Sequence, residues 1–270
     1  MSRPDMADRS IITLLTDFGT ADAFVGVMKG VILGIAPQVR LVDLTHEVPP
    51  QAVAVAAFFL ETAWREFPPD TIHLVVVDPG VGSGRRALAA EGPRGCFVAP
   101  DNGVLTPLFE AGEATVLHAL ARSEYFRQPV SRTFHGRDIF APVAAHLANG
   151  VPLAALGPPV TDPVRLALPR ARPLPDGGMV GQVLHVDRFG NLITNLPEPL
   201  FAAGAGVPVV TVGGRRIEGL ADSYAAAPPG RPGAIVGSAG TLEIFLPGAS
   251  AAAALGVRSG AAVTVTFVRT

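Results

Sequence analysis

Four short stretches combine residue types that could do chemistry. The first is VVVDPGVGSGRRA, Val75 to Ala87, where a run of strand residues ends at Asp78 and a glycine loop leads to Arg85 and Arg86. A phosphate-binding P-loop needs a lysine followed by a hydroxyl residue, and neither is here. Arg85 stands where a dinucleotide fingerprint needs its third glycine, and Asp78 would repel bound phosphate. Asp78 and Arg85 can instead pair across the loop. Such a pair is either a structural bridge or turn cap, or a polar pair aimed at a substrate; exposed pairs stabilise little by themselves.

The second stretch is TDFGTAD, Thr16 to Asp22. Asp17 either caps the turn before a helix or accepts two hydrogen bonds from a vicinal diol such as a ribose. The third is TFHGRDIFAP, Thr133 to Pro142, which puts His135 between a loop and a helix, flanked by Gly136 and Arg137. A lone histidine is open to a structural reading, but these neighbours suit an exposed loop. His46, His73 and His185 are weaker candidates. The fourth is VDRFGNLITN, Val186 to Asn195. It is either an Asx-type turn between strands or a base-binding turn, with Phe189 to stack on an adenine and Asn191 to bond its edge. GSAGTLEIF, with Ser238 and Glu243, reads on its own as a turn. There is no HxxxH or HExxH spacing, so no metal site is expected.

The elements that must position these residues follow from hydrophobic periodicity. Ile11–Thr16, Val39–Leu44 and Thr71–Val77 read as strands. Phe24, Val27, Met28, Val31, Ile32 and Ile35 form one helical face between the first two. Gln51–Trp64 is apolar nearly all round and is expected to be a buried helix. This alternation predicts an α/β domain with a mainly parallel sheet. In such sheets ligands bind beyond the carboxyl ends of strands, where Asp17, Asp43 and Asp78 lie. GCFVAP and ATVLHA are further strands, and Asp138–Asn149 is a helix stopped by Gly150. After residue 170 the pattern changes. ARPLPDGG, residues 171–178, reads as a linker. Six short strands follow (MVGQVLHV, NLITNL, VPVVTV, RRIEGL, TLEIFL, AAVTVTFV), with a hairpin turn at Gly213-Gly214. They predict a smaller all-β, barrel-like domain over residues 179–270.

Composition narrows the function classes. Of 270 residues 49% are apolar and 16% charged, so a sizeable core and little disorder are expected. A net charge of −2 without a basic stripe disfavours nucleic-acid binding. Lys29 is the only lysine. Cys96 is the only cysteine, which excludes an internal disulfide or CxxC zinc site, and it reads as a buried thiol. The N-terminus MSRPDMADRS has no apolar signal region, and no run is apolar enough to span a membrane. A cytoplasmic protein is expected.

Taken in order, TDFGTAD, the DPGVGS loop with Arg85, APDNG, TFHGRD, DRFGN and GSAGTLEI resemble the S-adenosyl-L-methionine hydroxide adenosyltransferases, relatives of fluorinase and chlorinase. The resemblance runs from about Ile11 to the C-terminus. It implies an α/β N-terminal domain and a β-barrel C-terminal domain. It also implies a homotrimer, with ligand between one subunit's N-domain and a neighbour's C-domain. The reaction it implies is S-adenosyl-L-methionine plus water giving adenosine and L-methionine, without metal or cofactor. The catalytic set carried over is Asp78, Arg85 and His135. Asp17 is the ribose carboxylate, and Phe189 and Asn191, with Ser238, Glu243 and the backbone near Gly248, serve the adenine. Asp22 and Asp187 serve the methionine end. Where the halogenases often carry an arginine after the serine, this chain has Ala239.

Three rival readings remain. A halide nucleophile would need a small site of neutral donors, and Asp78 would repel it. The halogenases carry an uncharged aromatic at that position, and fluorinase has a long insertion after this loop. A non-catalytic adenosine or S-adenosyl-L-methionine sensor would not need the Asp–Arg–His set. A metal phosphohydrolase would need a second Asp at the Gly19 position.

Overall fold

The structure is a computed structural model and describes residues 10–175, 177–203 and 206–268. Most of the polar N-terminal stretch, and Asp176 of the stretch read as linker, lie outside these residues. The chain divides into two compact units, with the division between Leu166 and Ala167.

The first unit is built on β1 (Ile11–Thr16), α1 (Phe24–Ile35), β2 (Arg40–Thr45), α2 (Val53–Ala63) and β3 (Ile72–Val76). β1 pairs in parallel with both β2 and β3. Every residue of β3 is buried, as expected for a parallel strand covered on both faces. Beyond β3 come β4 (Ala87–Gly92), β5 (Gly95–Pro100), α3 (Thr106–Glu110), β6 (Val116–Ala119) and α4 (Ala141–Ala148). β5 is parallel to β3, but β4 runs antiparallel to both β5 and β6. The sheet order is β2-β1-β3-β5-β4-β6, so the sheet is mixed and mostly parallel on the side of β1 and β3. ALAAEG, the sequence of β4, has weak strand propensity. Its pairing on both edges decides the outcome.

Two helices differ from the periodic reading. α1 buries Val25, Met28 and Ile32, while Phe24 and Val27 are 46% and 40% exposed. Met28, Val31, Ile32 and Ile35 of the expected face pack on the core, while Phe24 turns to an aromatic cluster with Phe18 and Phe134, ring centres 5.8 and 5.2 Å away. α2 buries only Ala56, Ala57 and Leu60. The helix read from Asp138 begins as a π-helical turn over Gly136–Phe140 and continues as α4. Cys96 is half-buried, packed against the core.

The second unit is all-β apart from short helices. It contains β7 (Arg172–Pro173), β8 (Met179–Val186), β9 (Leu192–Pro197), α5 (Pro199–Ala203), β10 (Val207–Val212), β11 (Arg215–Glu218), β12 (Gly233–Val236), β13 (Thr241–Phe245), α6 (Ala251–Leu255) and β14 (Ala262–Val268). The order β11-β10-β14-β8-β9-β13-β12 is antiparallel throughout, and the end strands β11 and β12 approach one another, giving a nearly closed, barrel-like sheet. Gly213 and Gly214 have φ of 55° and 74°. A tight hairpin turn with both central residues at positive φ needs glycine or asparagine there. β7, inside the stretch read as linker, pairs with β8, and β12 is a seventh long-range strand that periodicity did not reveal.

His73 sits in the first core. Its Nδ1 lies 2.9 Å from the Thr13 hydroxyl, and its ring stacks on Phe97 at 4.9 Å. Burial pushes its pKa down to about 4. Between pH 6.5 and 4 the unfolded chain takes up a proton there that the native state refuses, so stability falls as pH falls. Each pH unit of that window is worth about 1.4 kcal/mol, so the loss approaches about 3 kcal/mol. Urea unfolding at pH 7 and pH 4 should show a shallower loss for His73→Phe than for the parent; an identical loss would contradict this role.

Candidate active site

The carboxyl ends of β2, β1 and β3 lie side by side, and three of the expected residues meet there. Asp78 follows β3, and its side chain is 5% exposed. Arg85 donates from Nε to Asp78 Oδ1 at 2.7 Å, and its second terminal nitrogen donates to Oδ2. That same nitrogen lies 3.0 Å from His135 Nδ1. A guanidinium can only donate, so Nδ1 accepts, and a neutral His135 carries its proton on Nε2. Burial lowers the His135 pKa, and the Arg85 charge lowers it further; Asp78, Asp138 and a hydrogen bond to the Ser131 backbone oppose both only in part. Arg85 is also held over the Phe140 ring, 5.1 Å from its centre.

The glycine loop serves this arrangement. Ser83 Oγ donates to the Gly80 carbonyl at 2.6 Å and accepts from the Arg85 amide at 3.3 Å, closing the turn that brings Arg85 back to Asp78. Gly82 has φ of 74°, and a side chain there would collide with the Arg132 carbonyl. The glycine therefore lets the Asp78 loop pack on the loop that carries His135. Arg86 points elsewhere and donates to Asp101 and Asp162, each at 2.7 Å.

Asp17 and His135 line one cleft of about 380 Å³ with Asp78, Phe18, Phe24, Gln51, Phe134 and Gly136. Asp17 Oδ2 accepts the Gln51 amide at 2.8 Å. Asp22 is exposed outside this lining. Asp43, the third strand-end acid, is occupied by Lys29 at 2.6 Å and faces His46 at 3.1 Å.

In the second unit, Asp187 organises its turn. Its Oδ1 accepts the amides of Phe189 and Asn191, and its Oδ2 accepts the Asn191 side chain at 2.9 Å. The turn thus presents Phe189, 79% exposed, beside a buried Asn191. Glu243 is buried and accepts from Tyr224 at 2.8 Å. Burial raises the Glu243 pKa, the Tyr224 hydrogen bond opposes this, and the Asp187 charge raises it further. Ser238 and Gly248 are exposed.

Three supporting residues escaped the sequence reading. Asp138 is fully buried. It accepts from Arg137 at 2.6 and 2.9 Å and from the Ser131 amide at 2.8 Å, fixing the His135 loop. Burial pushes its carboxyl up, but these bonds outweigh it and hold the pKa well below the carboxylate range. Asn102 pins the Val77 carbonyl at the end of β3 at 2.8 Å. Gln51 has φ of 66°. The first two stand in the quoted motifs HGRD and APDNG; Gln51 carries no motif signal. Among the described residues, no group of three or more His, Cys, Asp or Glu side chains could hold a metal ion.

The model of the SAM hydroxide adenosyltransferase N-terminal domain matches residues 12–157, and that of its C-terminal domain matches 181–264. The chain belongs to the SAM hydroxide adenosyltransferase family. Within it, the chain is 42% identical to the (R)-S-adenosyl-L-methionine hydrolase of Thermus thermophilus, over 92% of this chain and 96% of that protein. It is 40% identical to the protein of the same name from Salinispora tropica, over 97% and 99%. A fluorinase from Actinoplanes is 30% identical over 69% of this chain and 71% of that protein. The crystal structure of an uncharacterized conserved protein from Thermotoga maritima superposes with a TM-score of 0.88, at 38% identity, covering 94% of this chain and 99% of that one.

Asp78 and Arg85 form a buried pair, so removing one partner leaves the other charge uncompensated. Arg85→Ala should lower unfolding free energy by about 3 kcal/mol. In a double-mutant cycle with Asp78→Ala the coupling should exceed about 1.5 kcal/mol; effects that add within about 0.5 kcal/mol would show that the pair is not coupled.

Proposed function

We propose that this protein hydrolyses S-adenosyl-L-methionine to adenosine and L-methionine by in-line attack of water at the ribose C5′. The observation that carries the assignment of roles is one guanidinium, Arg85, bonded at once to the Asp78 carboxylate and the His135 ring. Water forms the new C5′–O bond as the C5′–S bond breaks, and the bonding pair leaves on sulfur. The sulfonium departs as the neutral thioether of methionine, so no acid is needed at the leaving group. The attacking water must lose a proton. Asp78 accepts it, because His135 Nδ1 is taken by Arg85 and Nε2 is a donor. His135 then orients the water through Nε2–H, and Arg85 holds both groups in place. Orientation of a poor nucleophile supplies much of the acceleration.

Asp17 takes the ribose diol, and Phe189 and Asn191 take the adenine, with Ser238, Glu243 and the Gly248 backbone beside it. Asp22 and Asp187 serve the methionine end. A cleft of about 380 Å³ suits a nucleoside-sized group. We further assign a homotrimeric assembly, a cytoplasmic location and independence from metal and cofactor. Among the described residues, no helix is long and apolar enough to cross a membrane.

Incubation with S-adenosyl-L-methionine should give equimolar adenosine and methionine at a rate indifferent to EDTA and to chloride. A chloride-dependent 5′-chloro product would instead establish halide transfer, and tight binding with no turnover a sensor. Asp78→Asn should lower kcat by about 10²-fold or more with adenosine affinity nearly kept, as expected for loss of a proton acceptor; near-parental kcat would remove Asp78 from the chemistry. His135 must be neutral to accept from Arg85. Its pKa lies below the ordinary 6.5, so kcat/KM should be level above pH 7 and fall only below pH 6.5. An acid limb centred above pH 7 would contradict the neutral imidazole.

A further inference from the structure

Two loops at the strand ends are laced together. Gly19 donates to the His46 carbonyl at 2.7 Å, and Thr16 Oγ1 lies 2.9 Å from His46 Nδ1. The loop after β2 then passes through Pro49 and Pro50 to Gln51. At φ 66°, Gln51 is in the left-handed region that only glycine and, less readily, asparagine or aspartate visit without penalty. Its amide points at Asp17 Oδ2, 2.8 Å away. Among the described residues no other hydrogen bond reaches the Asp17 carboxylate. Gln51 also lines the cleft with Asp17, Asp78 and His135.

Non-glycine residues held at positive φ persist where surrounding structure over-determines them, and they cluster at ligand clamps. Here the surroundings are known: Ala52 donates back to the Pro49 carbonyl at 3.0 Å and Val53 to the Gln51 carbonyl at 2.9 Å, closing a tight turn around Gln51. The turn's product is one aimed N–H. Without it, Asp17 would be free to rotate at the mouth of the cleft. With it, Oδ2 is engaged and Oδ1 is left for a ligand.

We infer that Gln51 is a positioning residue whose left-handed backbone amide orients Asp17 toward the ribose diol, so that diol recognition depends on a backbone conformation at residue 51. This rests on the reading of Asp17 as the ribose carboxylate, and the experiment separates the two. Affinities for adenosine and 2′,3′-dideoxyadenosine are measured by calorimetry on the full chain, and their ratio is the readout. Asp17→Asn should collapse the ratio; if it does not, the ribose reading itself fails. Gln51→Val disfavours positive φ and should reduce the ratio about tenfold, the worth of a hydrogen bond to a charged group. It should leave dideoxyadenosine affinity almost unmoved, which general damage to the cleft would not do. Gln51→Gly keeps the N–H and tolerates the conformation, and should recover most of the ratio. A collapsed ratio in Asp17→Asn with an undiminished one in Gln51→Val overturns the inference. Should the valine variant not fold, the amide resonance of Gln51 in the parent protein decides. It should move upfield in Asp17→Asn; a resonance blind to that substitution overturns the inference.

Discussion

The arrangement of the first unit's cleft depends on one side chain, Arg85, satisfying two partners at once. Its side chain and that of Asp78 are nearly fully buried. Neither charge is tolerable there alone. The guanidinium neutralises the carboxylate, settles the tautomer of His135 by donating to Nδ1, and is itself flanked by the Phe140 ring. One cation thereby fixes the direction of two neighbours and the tautomer of one. An acceptor and a donor are left facing the same small volume, which is what positioning a water molecule requires.

The rest of the first unit holds this cation's neighbourhood still. β3 brings Asp78 to the sheet edge through a fully buried strand, and Asn102 ties down the carbonyl that follows it. The π-helical turn after His135 is anchored by Asp138, whose carboxylate gathers Arg137 and the Ser131 amide. Gly82 permits the two loops to touch. On the other side of the cleft, the loops after β1 and β2 are laced to each other, and Asp17 faces the cleft from the first of them. These are backbone and buried polar contacts, which favour a single geometry over flexible closure.

Much of this was legible in the sequence. Asp17, Asp78, Arg85 and His135 stand at strand ends or loop–helix junctions, where polar residues interrupt apolar runs, and their motifs carry a family resemblance. The structure brings Asp78, Arg85 and His135 into direct contact and puts Asp17 in the same cleft. What was hidden has physical causes. β4 is of weak propensity and β12 is only four residues long, and pairing on both sides for the first and against β13 for the second makes them strands. The α1 stripe holds at Met28, Val31, Ile32 and Ile35 but fails at its first turn, because Phe24 looks like a core residue yet lines the cleft. The contribution of Gln51 resides in its backbone, which side-chain chemistry does not announce. Asp138 was visible in HGRD, yet a buried carboxylate is recognised only when its arginine and amide donors are located.

The central claim is that water, held by Asp78 and His135, attacks C5′ directly. A single-turnover reaction in ¹⁸O-water, with enzyme in excess of S-adenosyl-L-methionine, tests it most directly by mass analysis of the adenosine. Direct attack places the label in the 5′-hydroxyl in the first turnover. Unlabelled adenosine would mean that a carboxylate, on Asp78 or on the substrate, made the first bond to C5′, and would contradict the account.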